Sequence, residues 1–479
     1  MSAIHALSTA PGMPGRGGSA PFDRELLVAR LAQRDEMLHW QPARLATFID
    51  DHLGDLVDYA WREVPLYRRI WTQAGVSPAD YRDRHSLARF PRVSKEQLTA
   101  SNTDWVRIAR GAAGLCTKGT TGKALTMWLD RDDAQLGVPV VAQGFLRSGM
   151  HAGQTVLLLS PAWHRMSTAE DQAVRLIGAI PVFPAGSVLD AQYGRTLAAT
   201  IARHRPGYVV AMTPMVLALI RDLDQAGVDP RSVFEGVETL MVLGLPLTPG
   251  LRRYLARRTG AAVWDRGGST EGLSLDECRC QDAPHVNVDV AWAEVVDAEG
   301  QPVSPGTRGH LVFSKMNNSP SPMIRYDAGD LAVMTAEPCA CGNPMPRLRL
   351  LGRAEHLVRI GDREVLPWDV RLLLEQDDDL AGRNLVLVRE PRRRGQKSAV
   401  PLHVVVEGHA HQESALRIRL AEGLGIEDVR ISWAGDSAMQ WNFRQVLERA
   451  DLPFLPPADD AREARLASEA AIKTKEVAR

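Results

Sequence analysis

Apolar residues in RELLVARLAQRDEMLHW recur at steps of three and four, the spacing of one buried helix face, and residues 23–80 are expected to be largely helical. Further along, short β-rich runs alternate with amphipathic stretches. TVLLLS, IPVFPA, GYVVAM and ETLMVLG read as strands, and AEDQAVRLIGA, LAATIARH and MVLALIRDLDQA read as the helices between them. Strand–helix alternation of this kind predicts a largely parallel sheet covered by helices. Beyond residue 285 the helices thin out. VAWAEVVDAEGQPVSPGTRGHLVFSK predicts antiparallel strands with a turn at Glu299-Gly300. A smaller α+β unit follows: HLVRIGDREVLP, NLVLVREP, PLHVVVEG, the helix ESALRIRLAEGL and the strand VRISWA.

The expected fold class is therefore α/β. A large N-terminal domain, residues 23–352, combines parallel strands under helices with a β-rich part, and a small α+β domain spans 353–455. Residues 1–22, rich in Gly, Pro, Ser and Ala, read as a disordered lead-in, and 456–479 as a charged, Ala-rich tail. No internal repeat is evident.

Composition narrows the function classes. Lys plus Arg is 57 and Asp plus Glu is 58, a formal charge of −1, which gives no support to general nucleic-acid binding. No apolar run approaches the roughly 18 residues of a membrane span, and the N-terminus has no apolar signal core. Five cysteines in 479 residues argue against a disulfide framework, so the expected setting is a reducing cytoplasm.

The stretch LCTKGTTGKAL, residues 115–125, is the first candidate for chemistry. Ala124 follows Lys123, so it does not fit G-x-x-x-x-G-K-[ST]. It does offer backbone N–H groups around Gly119 and Gly122, threonine hydroxyls and the Lys123 ammonium, donors suited to an anion. Composition alone supports a hairpin turn equally well.

Order and context favour phosphate. Thr-Lys-Gly-Thr-Thr-Gly-Lys-Ala resembles the phosphate loop of the adenylate-forming superfamily of acyl-CoA synthetases. GGSTEG (267–272), IRYDAGDL (324–331) and LLGRAEHLVRIGDREVLP (350–367) resemble three further segments of that superfamily, in its order. WREVPLYRRIW, FPRVSKEQL, AMTPMV, ECRCQDAPHVNVD and CACGNPMPRL are similar to stretches of its phenylacetate–CoA ligase branch, and the likeness covers residues 25–450.

The resemblance implies that a carboxylate attacks the α-phosphate of ATP, giving an acyl-adenylate, and that a thiol, usually of CoA, then displaces AMP. Thr120, Thr121, Gly122 and Lys123 would hold the β- and γ-phosphates, with Thr117 and Gly119 in the same nucleotide-binding set. Gly244, Gly267, Gly268 and Ser269 would border the nucleotide. Thr270 would touch the α-phosphate, Glu271 would hold Mg²⁺, and Asp330 would take the ribose hydroxyls with Arg353 alongside. Trp163, His164, Met166, Tyr208 and Met212 are the candidates for the acyl pocket, with core packing the competing explanation for each. The partners implied are a small carboxylic acid, aryl or ring-bearing, and CoA or another acceptor. No nucleic acid and no membrane are expected, and a homodimer is left open.

Four of the five cysteines fall in two clusters. Cys278, His285, Cys339 and Cys341 form a set that structural Zn²⁺ prefers, with Cys280 as a substitute for Cys278 and reduced surface thiols as the competing explanation. Such a closed site is structural.

The chain also departs from the pattern. Lys118 replaces a small residue. Gly267 stands where the superfamily has an aromatic residue on adenine, a contact then missing or supplied by Trp264. Trp441 and Asn442 occupy the Gly-Lys pair whose lysine serves adenylation, with Arg444 or Lys397 as replacement cation. Three readings stay open: a working ligase with a relocated cation, an adenylating enzyme with an unusual acid or acceptor, and a nucleotide-binding protein impaired in adenylation.

Overall fold

The computed structural model describes residues 23–101, 103–107, 113–116, 125–159, 165–184, 193–389, 400–435 and 445–448. It divides into two compact units, Met1–Glu355 and His356–Arg479. The expected boundary at Gly352-Arg353 falls just before the observed one.

Unit 1 is built on a seven-stranded sheet. Its parallel strands are β4 (Thr155–Leu158), β5 (Ile180–Val182), β6 (Tyr208–Met212), β7 (Thr239–Leu243) and β8 (Ala262–Gly268). β9 (Ser274–Asp276) and β10 (His285–Val286) extend it antiparallel, giving the order β10-β9-β8-β7-β6-β4-β5. Helices Arg165–Ile177, Tyr193–His204, Thr213–Gln225 and Pro249–Thr259 make the crossovers. β6 and β7 are buried at almost every position, as strands covered on both faces require. Helix Pro249–Thr259 shows how the ends are set: Thr248 accepts the Leu251 N–H at 3.3 Å, Pro249 opens the first turn, and Gly260, at φ 77, closes the last.

The N-terminal helix Arg24–Met37 packs on helices Arg131–Arg147 and Arg165–Ile177. Its buried Arg34 reaches Asp289, Gln143 and Asn287, and Asn287 donates to Asp276 at 2.8 Å. Helices Pro42–Glu63 and Pro65–Ala74 cover a second sheet of β1 (Val93–Ser94), β11 (Ala291–Val296), β12 (Arg308–Lys315), β13 (Tyr326–Met334) and β14 (Leu348–Arg353). β11, β12, β13 and β14 are antiparallel, and Gly300, at φ 86, makes the expected turn before β12. β2 (Ala113–Cys116) and β3 (Thr126–Leu129) form a separate antiparallel ribbon.

Unit 2 packs helices Pro367–Leu374 and Glu413–Leu424 on a four-stranded sheet ordered β19 (Val429–Ala434), β18 (Leu402–Glu407), β17 (Leu385–Arg389), β20 (Val446–Glu448). A hairpin of β15 (Val358–Ile360) and β16 (Arg363–Val365) turns at Gly361, φ 61. The mixed α/β class expected from the hydrophobic pattern is the class observed. Among the described residues no helix is long and apolar enough to cross a membrane.

Candidate active site

The parallel strands of a doubly covered sheet present their carboxyl ends as one edge, and ligands in such folds bind there. In register, Met212 pairs with Leu243 and Leu243 with Arg266, so the ends of β6, β7 and β8 are level. That edge carries Met212, then Gly244 at φ 93, then Gly267 and Gly268. β4 ends on the same side, where the Leu159 N–H donates to the Val210 carbonyl at 2.8 Å.

GGSTEG forms the turn between β8 and β9. The Ser269 N–H donates to the Leu273 carbonyl at 3.0 Å, and the Gly272 N–H to the Ser269 carbonyl at 3.2 Å. Gly268, at φ 151, is required: a Cβ there would lie 2.4 Å from the Leu273 carbonyl oxygen. The turn therefore presents Thr270 and Glu271, both partly exposed, beyond the sheet edge.

The second sheet brings up a pair of opposite charge. Asp330 and Arg353 are partners in the β13–β14 ladder, and Arg353 Nη1 lies 3.3 Å from Asp330 Oδ1. The same nitrogen donates to the Ala328 carbonyl at 2.8 Å. Burial pushes the Asp330 carboxyl up to about 6; the Arg353 charge opposes the rise, while Glu271 and Asp327 add to it. Glu271 also raises Tyr326, after burial. The acidic turn and the Asp330–Arg353 pair thus share one electrostatic neighbourhood.

Other expected residues sort differently. Tyr208 starts β6, at the end of the strand opposite the candidate site, and is fully buried. Its hydroxyl is 2.6 Å from Ser148 Oγ and its ring meets Phe145 edge-on. Tyr208 is a core residue and leaves the acyl-pocket set. Trp264 is also corrected: three residues before Gly267 it points to the opposite face of β8, packed against the core that holds Met241. A Cβ on Gly267 would meet Leu275 at 3.2 Å and Leu350 at 3.6 Å, so apolar neighbours occupy the Gly267 face. Met166 lies in helix Arg165–Ile177. Thr117, Lys118, Gly119, Thr120, Thr121, Gly122, Lys123, Trp163, His164, Lys397, Trp441, Asn442 and Arg444 lie outside the described residues. The ribbon flanks the glycine–threonine stretch on both sides: its last pair, Cys116 and Thr126, brings Sγ and Oγ1 to 3.3 Å.

The thiol set converges. The ligand atoms of Cys278, His285, Cys339 and Cys341 all lie within 4.8 Å of one another. Cys278 Sγ is 3.5 Å from Cys339 Sγ, and Cys341 Sγ is 3.4 Å from His285 Nε2. His285 Nδ1 lies 2.9 Å from the Met345 carbonyl, which can only accept, so Nδ1 carries the proton and Nε2 keeps its lone pair for the cluster. Burial lowers His285 to about 4, which keeps it neutral. N–H groups of Cys280 and Asn343 donate to Cys278 and Cys341 sulfurs, each at 3.4 Å. These donors and spacings fit a tetrahedral metal. Cys280 is exposed and outside the set.

Sequence reasoning missed a carboxylate pair beside the turn. Asp265 donates its N–H to Glu277 at 2.7 Å, and Arg252 pairs with Glu277. Burial, then the Glu277 charge, raises the Asp265 carboxyl. Two acidic residues twelve apart carry no sequence signal until β8 and β9 pair.

Residues 129–321 match the AMP-binding enzyme family. The chain is 25% identical over 378 residues to the phenylacetate-coenzyme A ligase of Thermus thermophilus, spanning 76% of this chain and 82% of that protein. It is 25% identical over 330 residues to the Escherichia coli K12 enzyme of the same name, spanning 64% and 71%. Among solved structures, 2-hydroxyisobutyryl-CoA ligase with a bound acyl-AMP superposes at TM-score 0.75 and 22% identity, covering 91% of this chain and 94% of that one. That likeness speaks for the fold. The likenesses are thus to AMP-binding enzymes and, over most of the chain, to phenylacetate–CoA ligases.

Proposed function

We propose that the protein activates a carboxylic acid with ATP, forming an acyl-adenylate and pyrophosphate, and then passes the acyl group to the thiol of CoA. The observation that carries the reading is the sheet edge: the Thr270–Glu271 turn lies within electrostatic reach of the Asp330–Arg353 pair. Asp330, ionised at neutral pH, accepts from the ribose hydroxyls, and Arg353 orients it. Thr270 donates to the α-phosphate. Glu271 would offer oxygen to Mg²⁺, a hard cation suited to carboxylate and phosphate oxygens. The residues 117–123 hold the outer phosphates, with Lys123 as the charge. The acid enters along the strand edge at Met212 and is already ionised at neutral pH, so no general base is required. A ring-bearing acid is the reading the branch supports.

Cys278, His285, Cys339 and Cys341 bind structural Zn²⁺ in this reading. Four protein ligands would leave such an ion no open position, and it would tie β10 and the segments after β9 and β13 together without joining the chemistry.

ATP–pyrophosphate exchange over a panel of aryl and hydroxy acids tests the first step, and mass detection of an acyl-CoA tests the second. No exchange with any acid, together with no AMP binding by calorimetry, refutes the proposal. A second reading, transfer to an amine or carrier protein, draws on Trp441-Asn442 in place of the Gly-Lys pair. Exchange without a CoA product selects it.

A further inference from the structure

β12 ends in a lysine that is almost wholly buried. Lys315 is 3% exposed, lies outside every motif noted above, and sits directly against the acidic turn. A Cβ on Gly272 would come within 3.0 Å of Lys315 Cε, so the lysine stem is the surface on which the end of the GGSTEG turn rests. A buried ammonium needs a matched partner, since desolvation alone is expensive. Lys315 Nζ donates to Ser319 Oγ at 3.1 Å and lies 3.7 Å from Asp133 Oδ1. Ser319 Oγ donates to Asp133 Oδ2 at 2.9 Å, and Asn317 Nδ2 to Asp133 Oδ1 at 3.0 Å.

This knot continues to the ribbon that flanks residues 117–124. Asp133 opens helix Arg131–Arg147 in a reciprocal cap with Asp130, and Asp130 directly follows β3. Ser321 donates its N–H to Ser319 Oγ at 3.3 Å, and its own Oγ accepts the Trp128 N–H of β3 at 2.7 Å. The β8–β9 turn and the β2–β3 ribbon are thus joined through the apolar stem of Lys315 and the polar knot at its tip. An ion pair kept only for stability would be replaceable by apolar side chains of equal volume. Its placement under one phosphate-handling turn and against the root of the other gives it a geometric task.

We propose that Lys315, pinned by Asp133 and Ser319, is a positioning residue that sets the Thr270–Glu271 turn against the phosphate-bearing ribbon for in-line attack on ATP. The inference rests on the adenylation reading above. In this reading Lys315 acts through the turn it supports and through Asp133 and Ser319. Its effect therefore falls on turnover, because misplacement of reacting groups by a fraction of an ångström slows chemistry more than it weakens binding.

The test compares Lys315→Met, the charge-free double variant Asp133→Asn/Lys315→Met, and Ser319→Ala in the full-length protein. Pyrophosphate exchange kinetics are read beside thermal unfolding. The expected result is a kcat about tenfold lower in the double variant, with KM for the acid unchanged and a melting temperature close to the parent's. Ser319→Ala, which leaves both charges in place, is expected to fold and to lose about threefold in kcat. Parental kcat in a folded double variant overturns the proposal. Should the double variant not fold, parental kcat in Ser319→Ala overturns it instead. An inactive parent refutes the adenylation reading and this inference with it, whereas an active parent with fully active variants refutes the inference alone.

Discussion

Two arginines close to the same strand, each paired with a carboxylate, divide the molecule into scaffold and site. Arg325, just before β13, is 2% exposed. Its Nε and Nη2 meet Glu294, Nη1 donates to the Ala88 and Phe90 carbonyls, and Nη2 also donates to the Gly300 carbonyl. Four guanidinium hydrogen bonds and an ion pair with Glu294 are thus spent within the protein. Arg353, at the end of β14, is one-third exposed, holds Asp330 Oδ1 at 3.3 Å and lies 4.0 Å from Glu355. Saturated burial marks the first as a clamp between β13, β11 and the Ala88–Phe90 segment. Partial burial beside other acids marks the second as a place with affinity left over.

The largest effect should come from Arg325→Met. Burial already raises the Glu294 pKa against the pull of Arg325, and removing that partner strands a buried carboxylate. The expected loss is on the order of 3–5 kcal/mol, read by denaturant unfolding. Parental stability would dissolve the distinction. Next comes the thiol cluster, which belongs with the scaffold. Chelation or His285→Ala should lower the melting temperature by several degrees while exchange activity at low temperature persists. Loss of activity in a protein that stays folded would move the cluster to the site. Asp330→Asn should behave oppositely, with a melting temperature near parental and a KM for ATP raised about 10–100-fold, the worth of a hydrogen bond to a charged group.

The smallest effect is in pH. Asp330 titrates near about 6 against an ordinary 3.8, so nucleotide affinity should rise as pH climbs through that value and the acceptor ionises. Its share of stability runs the other way: whole below 3.8, and lost as pH rises through about 6, because the folded unit holds the extra proton. Calorimetric AMP titrations that show no step near this pH, or the same step in Asp330→Asn, would detach the residue from the nucleotide.

Much of this was legible in the chain. The apolar runs of β6 and β7 and the amphipathic helices between them carry their periods openly, and GGSTEG announces a turn because only glycine tolerates the backbone at position 268. Pair identities were harder. IRYDAGDL reads as one motif, yet Arg325 turns into the core while Asp330 faces Arg353, a split set by register across three strands. Tyr208 looked like pocket lining because aromatic residues do either job; which end of the strand it occupies decides the matter. Trp264 failed for the opposite reason, since the period of two was available to place it away from Gly267. Lys315 gave no signal, because a lysine closing an apolar strand reads as solvated until Asp133 and Ser319 are brought to it from elsewhere in the chain.

The β2–β3 ribbon is anchored on one side only. Leu125 and Met127 of the returning arm are buried in the core, and the Trp128 N–H is taken by Ser321, whereas Gly114 and Cys116 of the outgoing arm stand exposed. A pair of strands has little stability of its own in water. The returning arm is therefore the better anchored of the two, and in the nucleotide-binding reading any adjustment of this ribbon is expected to fall on the outgoing arm.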